Sequence, residues 1–149
     1  MDDLRKALLD QCVQDVKVRI SGIEQAVRLV QQSANEDTKS TAGDKYETGR
    51  AMAQLEMEKL NEQLVEAKKQ LQTLVSISPG KSDVVRSGSL VTTNEGTFFI
   101  ATSLGRITVD GTPCFVISPQ SPIGSRMMGL AAGASFTFNN KSYQLKALL

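Results

Sequence analysis

Apolar residues recur through the first half of the chain at alternating steps of four and three. Leu9, Val13, Val16, Ile20, Ile23, Val27, Val30 and Ala34 carry the pattern first; Ala53, Met57, Leu60, Leu64, Ala67, Leu71 and Leu74 repeat it. Such a seam keeps one narrow apolar stripe facing a partner, which predicts α-helices packed as a coiled coil. Between the two runs, residues 35–45 are polar, contain Gly43 and show no apolar period, so the chain should reverse there. The simplest arrangement is an antiparallel helical hairpin whose partner helix comes from the same chain. Helices are expected over residues 4–34 and 44–75. From Leu9 to Ala34 the arm would extend roughly 38 Å at about 1.5 Å per residue. Asp2 and Asp3 stand where carboxylates favour a helix N-terminus. Gly22 interrupts the first helix at about 1 kcal/mol against Ala, and allows either a close helix approach or a slight bend. Lys17, Arg19, Glu24, Gln25 and Arg28 fall on the other faces and read as solvated surface.

After Val75 the period changes. Ser78-Pro79-Gly80-Lys81-Ser82 is a cluster of helix breakers and reads as a linker. Beyond it the pattern alternates, predicting strands near residues 90–93, 97–103, 107–109, 114–118, 135–139 and 142–148. Asn94-Glu95-Gly96, Asp110-Gly111 and Asn139-Asn140 fall between them as hairpin turns, because these residues tolerate positive φ. Closely spaced turns imply a small antiparallel sheet. Ser121-Pro122 offers an N-cap and a first helical position, and Gly129 a stop, so a short helix should cross the sheet there. The expected fold is α+β: residues 1–77 a coiled-coil hairpin, 78–82 a linker, and 83–149 a compact β-rich domain.

Composition narrows the possible chemistry. Hydrophobic residues make up 40% of the 149 positions but aromatics only 5%, and Trp is absent, which suits a hairpin and a modest core. His is absent too, removing the commonest general base and metal ligand at neutral pH. Residues 1–75 hold 11 Lys/Arg against 13 Asp/Glu, and residues 76–149 hold 6 against 3. Neither half has the concentrated basic run that would support autonomous DNA binding. Cys12 and Cys114 stand alone in their halves and read as buried small apolar residues in a reducing compartment. The charged Met-Asp-Asp start lacks the apolar stretch of a secretion signal. No apolar run approaches the roughly 20 residues that cross a bilayer. A soluble, cytoplasmic protein is the expectation.

The candidate chemistry lies in Gly43-Asp44-Lys45-Tyr46-Glu47, at the predicted hairpin tip. Asp44 and Glu47 are three residues apart, on neighbouring positions of one helical turn. One role for them is structural: Asp44 as N-cap, with Glu47 returning a bond to its backbone. The other is to hold a hard cation, since Mg²⁺ takes oxygen ligands and keeps several waters. Two carboxylates make a weak site alone, so the tip would complete a metal site begun by a partner. Both roles are open, and they are compatible.

These residues resemble the Gly-Asp-x-x-Glu tip of the Gre transcript-cleavage factors of bacterial RNA polymerase. Ser121-Pro122-Ile123-Gly124 through Met128-Gly129, followed by two closing strands, is similar to that family's Ser-Pro-Ile…Gly segment. The resemblance covers nearly the whole chain. It implies an FKBP-like C-terminal domain that docks at the rim of the polymerase secondary channel, with the coiled coil inserted into it. Asp44 and Glu47 would then help to hold the second catalytic Mg²⁺, and the polymerase would hydrolyse the 3′ end of backtracked RNA. Ser121, Pro122, Ile123 and Gly129 would define the docking domain. The protein would act as a monomer and would catalyse nothing by itself.

The family usually continues its tip as Glu-Asn-x-Glu-Tyr, where this chain reads Glu47-Thr48-Gly49-Arg50-Ala51. An amide, an acid and an aromatic are replaced, and one position becomes positive. Related factors of the same shape enter the channel and regulate polymerase without cleavage, which is the alternative function. Two other classes are a peptidyl-prolyl isomerase or chaperone, suggested by the FKBP-like half, and a homodimeric coiled-coil adaptor. Against the isomerase, Phe98, Phe99, Phe115, Phe136, Phe138 and Tyr143 mostly fit alternating core positions rather than a pocket wall.

Overall fold

The computed structural model describes the backbone of residues 2–40, 44–78 and 80–149; the side chains of residue 2 and residues 36–47 lie outside the described residues. The chain forms two compact units, one of Asp15–Leu71 and one of Met1–Gln14 with Gln72–Leu149.

Helix α1 spans Asp2–Ser40 and helix α2 spans Asp44–Val75. The second helix has the expected bounds; the first runs six residues past position 34. Residues 35–40 contain no Gly or Pro, so nothing in them stops a helix even though they lack an apolar face. Within Asp15–Leu71 the seam closes as its spacing predicts. Ile23, Leu60 and Ala67 are buried together, and Ile20, Ala26, Val27, Val30 and Leu64 pack against them half-buried. Val16 is 1% exposed and Leu60 8%, while Val18 and Val65, off the seam, are open to solvent. Each fully buried Leu or Ile contributes about 1.5–3 kcal/mol relative to exposure. The helices run antiparallel: Arg19 bonds Gln70, whereas Val30 and Ala34 share a groove with Ala53 and Met57. Gly22 does not serve a close approach, because a Cβ there would meet nothing within 4 Å.

The other unit holds a six-stranded sheet in the order β3-β4-β2-β1-β6-β5. Its strands are β1 Leu90–Thr93, β2 Gly96–Ile100, β3 Gly105–Val109, β4 Thr112–Ile117, β5 Ser135–Phe138 and β6 Lys141–Leu148. Each overlaps a strand that alternation predicts, but β2 ends at Ile100, short of the expected 103, and β3 and β4 each begin two residues earlier than expected. The hairpin turns hold as well, with positive φ at Gly96, Asp110, Gly111, Asn139 and Asn140. The sheet is not wholly antiparallel, because β2 and β4 pair in parallel, Phe99 opposite Val116. That pairing joins strands that are not neighbours in sequence, so no turn residue announces it.

Register sorts the side chains onto two faces. Val91, Phe98 and Ile100 share one face with Tyr143 and Leu145, in a cluster closed by Met127. Leu90 stands opposite Phe99 on the other face, and with Cys114 and Val116 these side chains are buried as well. The same unit encloses Leu8 and Cys12 of α1 and Leu74 of α2. Leu8 and Cys12 sit one position before the seam residues Leu9 and Val13, so α1 buries a wider face near its start than the four-three spacing implies.

Candidate functional site

Asp44 is the first residue of α2 and Glu47 lies within its first turn. Both side chains lie outside the described residues, and Gly43 does so entirely. The backbone thus puts the two acids at the start of a helix, one turn apart, just after the chain leaves α1. Of the departures that follow, Thr48, Arg50 and Ala51 are exposed and Gly49 half-buried. Among the described residues, no group of three or more Asp, Glu, Cys or His stands together as metal ligands. The donor chemistry of Asp44 and Glu47, two carboxylates on one helical turn, nevertheless suits a hard cation supplied with further ligands by a partner.

The second motif is described in full. Helix α3 spans Pro122–Met127 with Ser121 as its N-cap and Pro at its start. The Ser121 hydroxyl donates to the Ser118 carbonyl at 2.7 Å and accepts from the Gly124 amide at 3.1 Å. It therefore closes the loop and satisfies one of the helix's free amides together. Ile123 packs half-buried against the Val91–Phe98 cluster. Gly129 ends the helical stretch at φ +83°, and its amide donates to the Val85 carbonyl at 2.9 Å. Val85 answers with its own amide to Leu130, 2.8 Å. The motif thus ties the chain after α3 back to the segment that leads into β1.

Gly124 proves as constrained as the four residues singled out from sequence. A Cβ on it would lie 2.2 Å from the Ser118 carbonyl oxygen and 2.7 Å from the Ser121 hydroxyl. Sequence alone shows a Gly inside a short helix, which reads as a weakness. The signal for its use in the sequence is the capping Ser three positions earlier, whose loop passes close by.

The aromatics form a chain across one face. Phe136 stacks on Tyr143 with ring centroids 4.9 Å apart, and Phe98 lies 5.6 Å from Phe115. Phe99 is fully buried, whereas Phe115 is 39% exposed at the margin of the cluster. Cys12 and Cys114 are both buried and in no disulfide among the described residues, as expected of small apolar residues. Burial pushes the Cys114 thiol above its ordinary pKa, which disfavours the reactive thiolate. Among the described residues no helix is long and apolar enough to cross a membrane.

No protein-family model matches the chain. Nor does any curated protein. Among the solved structures similar to it are these two. One is of the transcription factor Gfh1, with 15% identity over 92% of each chain and a TM-score of 0.39. The other is of GreA factor homolog 1 of Thermus thermophilus, with 14% identity over 92% of this chain and 94% of that one, at a TM-score of 0.35. At these values neither likeness decides a family or a function.

Proposed function

We propose that this chain is a Gre-like factor that enters the secondary channel of bacterial RNA polymerase and acts there through Asp44 and Glu47. The observation that carries the reading is where the acids fall: α2 begins at Asp44, so both stand at the turn between two antiparallel helices. Support comes from the second motif, in which Ser121 caps α3 and Gly129 closes it against Val85. In this reading the β-rich part docks on polymerase and the tip acids help to hold an Mg²⁺ in the polymerase centre. That ion would stabilise charge during hydrolysis of the backtracked RNA 3′ end. The chain contributes ligands, negative charge and occupancy of the channel; the polymerase supplies the remaining acids. The factor is no enzyme alone, and it works as a cytoplasmic monomer.

A second reading is favoured by one specific feature. Arg50 is exposed one turn beyond Glu47, where the Gre pattern carries an acid. A positive charge there opposes the gathering of a cation at the tip, which suits a regulator that occupies the channel without promoting cleavage. The test is to add the full-length protein to backtracked polymerase complexes and follow the RNA. Accelerated shortening from the 3′ end supports the first reading. Altered transcription without shortening supports the second, and no effect with no binding removes both.

A further inference from the structure

Strand β3 is an edge of the sheet, with β4 as its one neighbour in the strand order. It turns into β4 through Asp110-Gly111, both at positive φ, so Val109 and Thr112 at its base form a hydrogen-bonded pair. Such pairs alternate along an antiparallel ladder. Ile107 opposite Cys114 is the next, whereas Arg106 opposite Phe115 and Thr108 opposite Pro113 fall between them. The amides and carbonyls of Arg106 and Thr108 therefore point away from β4, toward the open edge. Pro113 fits this phase, because it has no N–H to donate. The structure describes every residue from 80 to 149, and among the described residues no backbone bond from outside β4 ends on β3.

An exposed row of outward N–H and C=O groups is a template for another strand. Which strand fits is decided by the side chains. Arg106 and Thr108 are exposed on one face of β3, and Asp110 is exposed just beyond them in the turn. Three two-fold registers lay Arg106 and Thr108 of one copy onto the same residues of another. Centred on Arg106, the pairing sets two guanidinium groups against each other, which is unfavourable. Centred on Ile107, it pairs Arg106 with Thr108 and leaves both charges unmatched. Centred on Thr108, it brings Arg106 of each copy beside Asp110 of the other, with Thr108 opposite Thr108 between the two ion pairs. On the other face Ile107 then meets Val109, and each of these pairings is favourable across strands. The far edge, β5, offers no such code, because Ser135–Phe138 has no charged residue. We propose that β3 pairs antiparallel with β3 of a second copy of this chain, about a two-fold axis at Thr108. One strand from each copy buries far less than the roughly 1,200 Å² of a stable interface. The pair should accordingly be weak, with Kd on the order of 100 µM. It belongs to the free chain and is independent of the single copy proposed to act on polymerase.

The test is sedimentation equilibrium of the full-length protein from about 10 µM to 1 mM at low salt, a range that brackets the expected Kd. A monomer–dimer equilibrium is expected. Arg106→Glu sets acid against acid and should weaken it at least about tenfold. Asp110→Lys sets cation against cation and should do the same. Mixing these two variants restores both ion pairs in a heterodimer, so the mixture should associate more tightly than either variant alone. Thr108→Pro removes an outward N–H that the hairpin does not use, so it should abolish the dimer while the far-UV spectrum stays unchanged. A protein that remains monomeric at 1 mM would overturn the pairing. So would a dimer that survives Arg106→Glu or Thr108→Pro, or folded charge variants whose mixture associates no better than its components.

Discussion

The guanidinium of Arg5, in the second turn of α1, donates from Nε to the Gly88 carbonyl at 2.6 Å. A second nitrogen reaches the Ser78 carbonyl at 2.7 Å. One side chain therefore ties the start of the first helix to the segment after α2 and to the turn before β1. The fork is matched to two acceptors held apart, which a single ammonium cannot copy.

Arg5→Ala should consequently destabilise the protein by about 1–3 kcal/mol, since it leaves a part-buried carbonyl without its charged donor. Arg5→Lys should recover part of that loss by holding one carbonyl. Urea denaturation of the three proteins measures both. Equal stability of wild type and the alanine variant would mean that the clasp adds nothing.

Gly124→Ala should be more damaging than its single methyl suggests. The added Cβ meets backbone, the Ser118 carbonyl at 2.2 Å, and cannot be relieved by rotating a side chain. Overpacking of this kind costs about 1–3 kcal/mol. Loss of the Ser121 cap that the shift would bring adds about 1 kcal/mol. Ser121→Ala alone should show only the second part. Thermal melts that rank the two variants the other way would contradict this geometry.

The seam makes a contrast between two residues of one helix. Leu60→Ala should cost about 2–5 kcal/mol, because it opens a cavity beside Ile23 and Ala67. Val65→Ala, at a side chain 54% exposed, should change stability by less than about 0.5 kcal/mol. Chemical denaturation of the paired variants reads the difference directly.

Gly22→Ala should move the other way. The position is helical and exposed, its Cβ would touch nothing, and Ala is favoured over Gly in a helix by about 1 kcal/mol. A rise in the melting temperature is expected; a fall would show that the glycine has a use the isolated chain does not reveal.

What could be read from the sequence divides along physical lines. The helices and strands were legible because local burial imposes a period, and the turns because Asp110, Gly111, Asn139 and Asn140 tolerate positive φ. Helix α2 was placed over Asp44–Val75, its end marked by the breakers that follow Val75 in the sequence. The end of α1 was missed, since a polar stretch without Gly or Pro gives neither an apolar period nor a stop. The parallel pairing of β2 with β4 was missed because it is fixed by packing between distant segments. At the site, Ser121, Pro122 and Gly129 announced themselves through capping chemistry, whereas the need for Gly at 124 arises from a through-space approach of Ser118. For Asp44 and Glu47 the sequence places the acids and the helix start agrees, but capping and cation binding use the same atoms.

Those two roles separate under a substitution that keeps one and removes the other. Asn remains a good N-cap and Gln can still complete a capping box, so Asp44→Asn with Glu47→Gln should alter stability by less than about 1 kcal/mol. Neutral amides are poor Mg²⁺ ligands and carry no charge to hold the ion. The decisive measurement is the rate of RNA 3′-end cleavage in backtracked polymerase complexes with the parent protein and with this double variant, at matched occupancy of polymerase. The account predicts cleavage stimulated by the parent and lost in the variant, with melting and polymerase binding unchanged. Equal stimulation by both proteins would contradict it and leave Asp44 and Glu47 as helix caps alone.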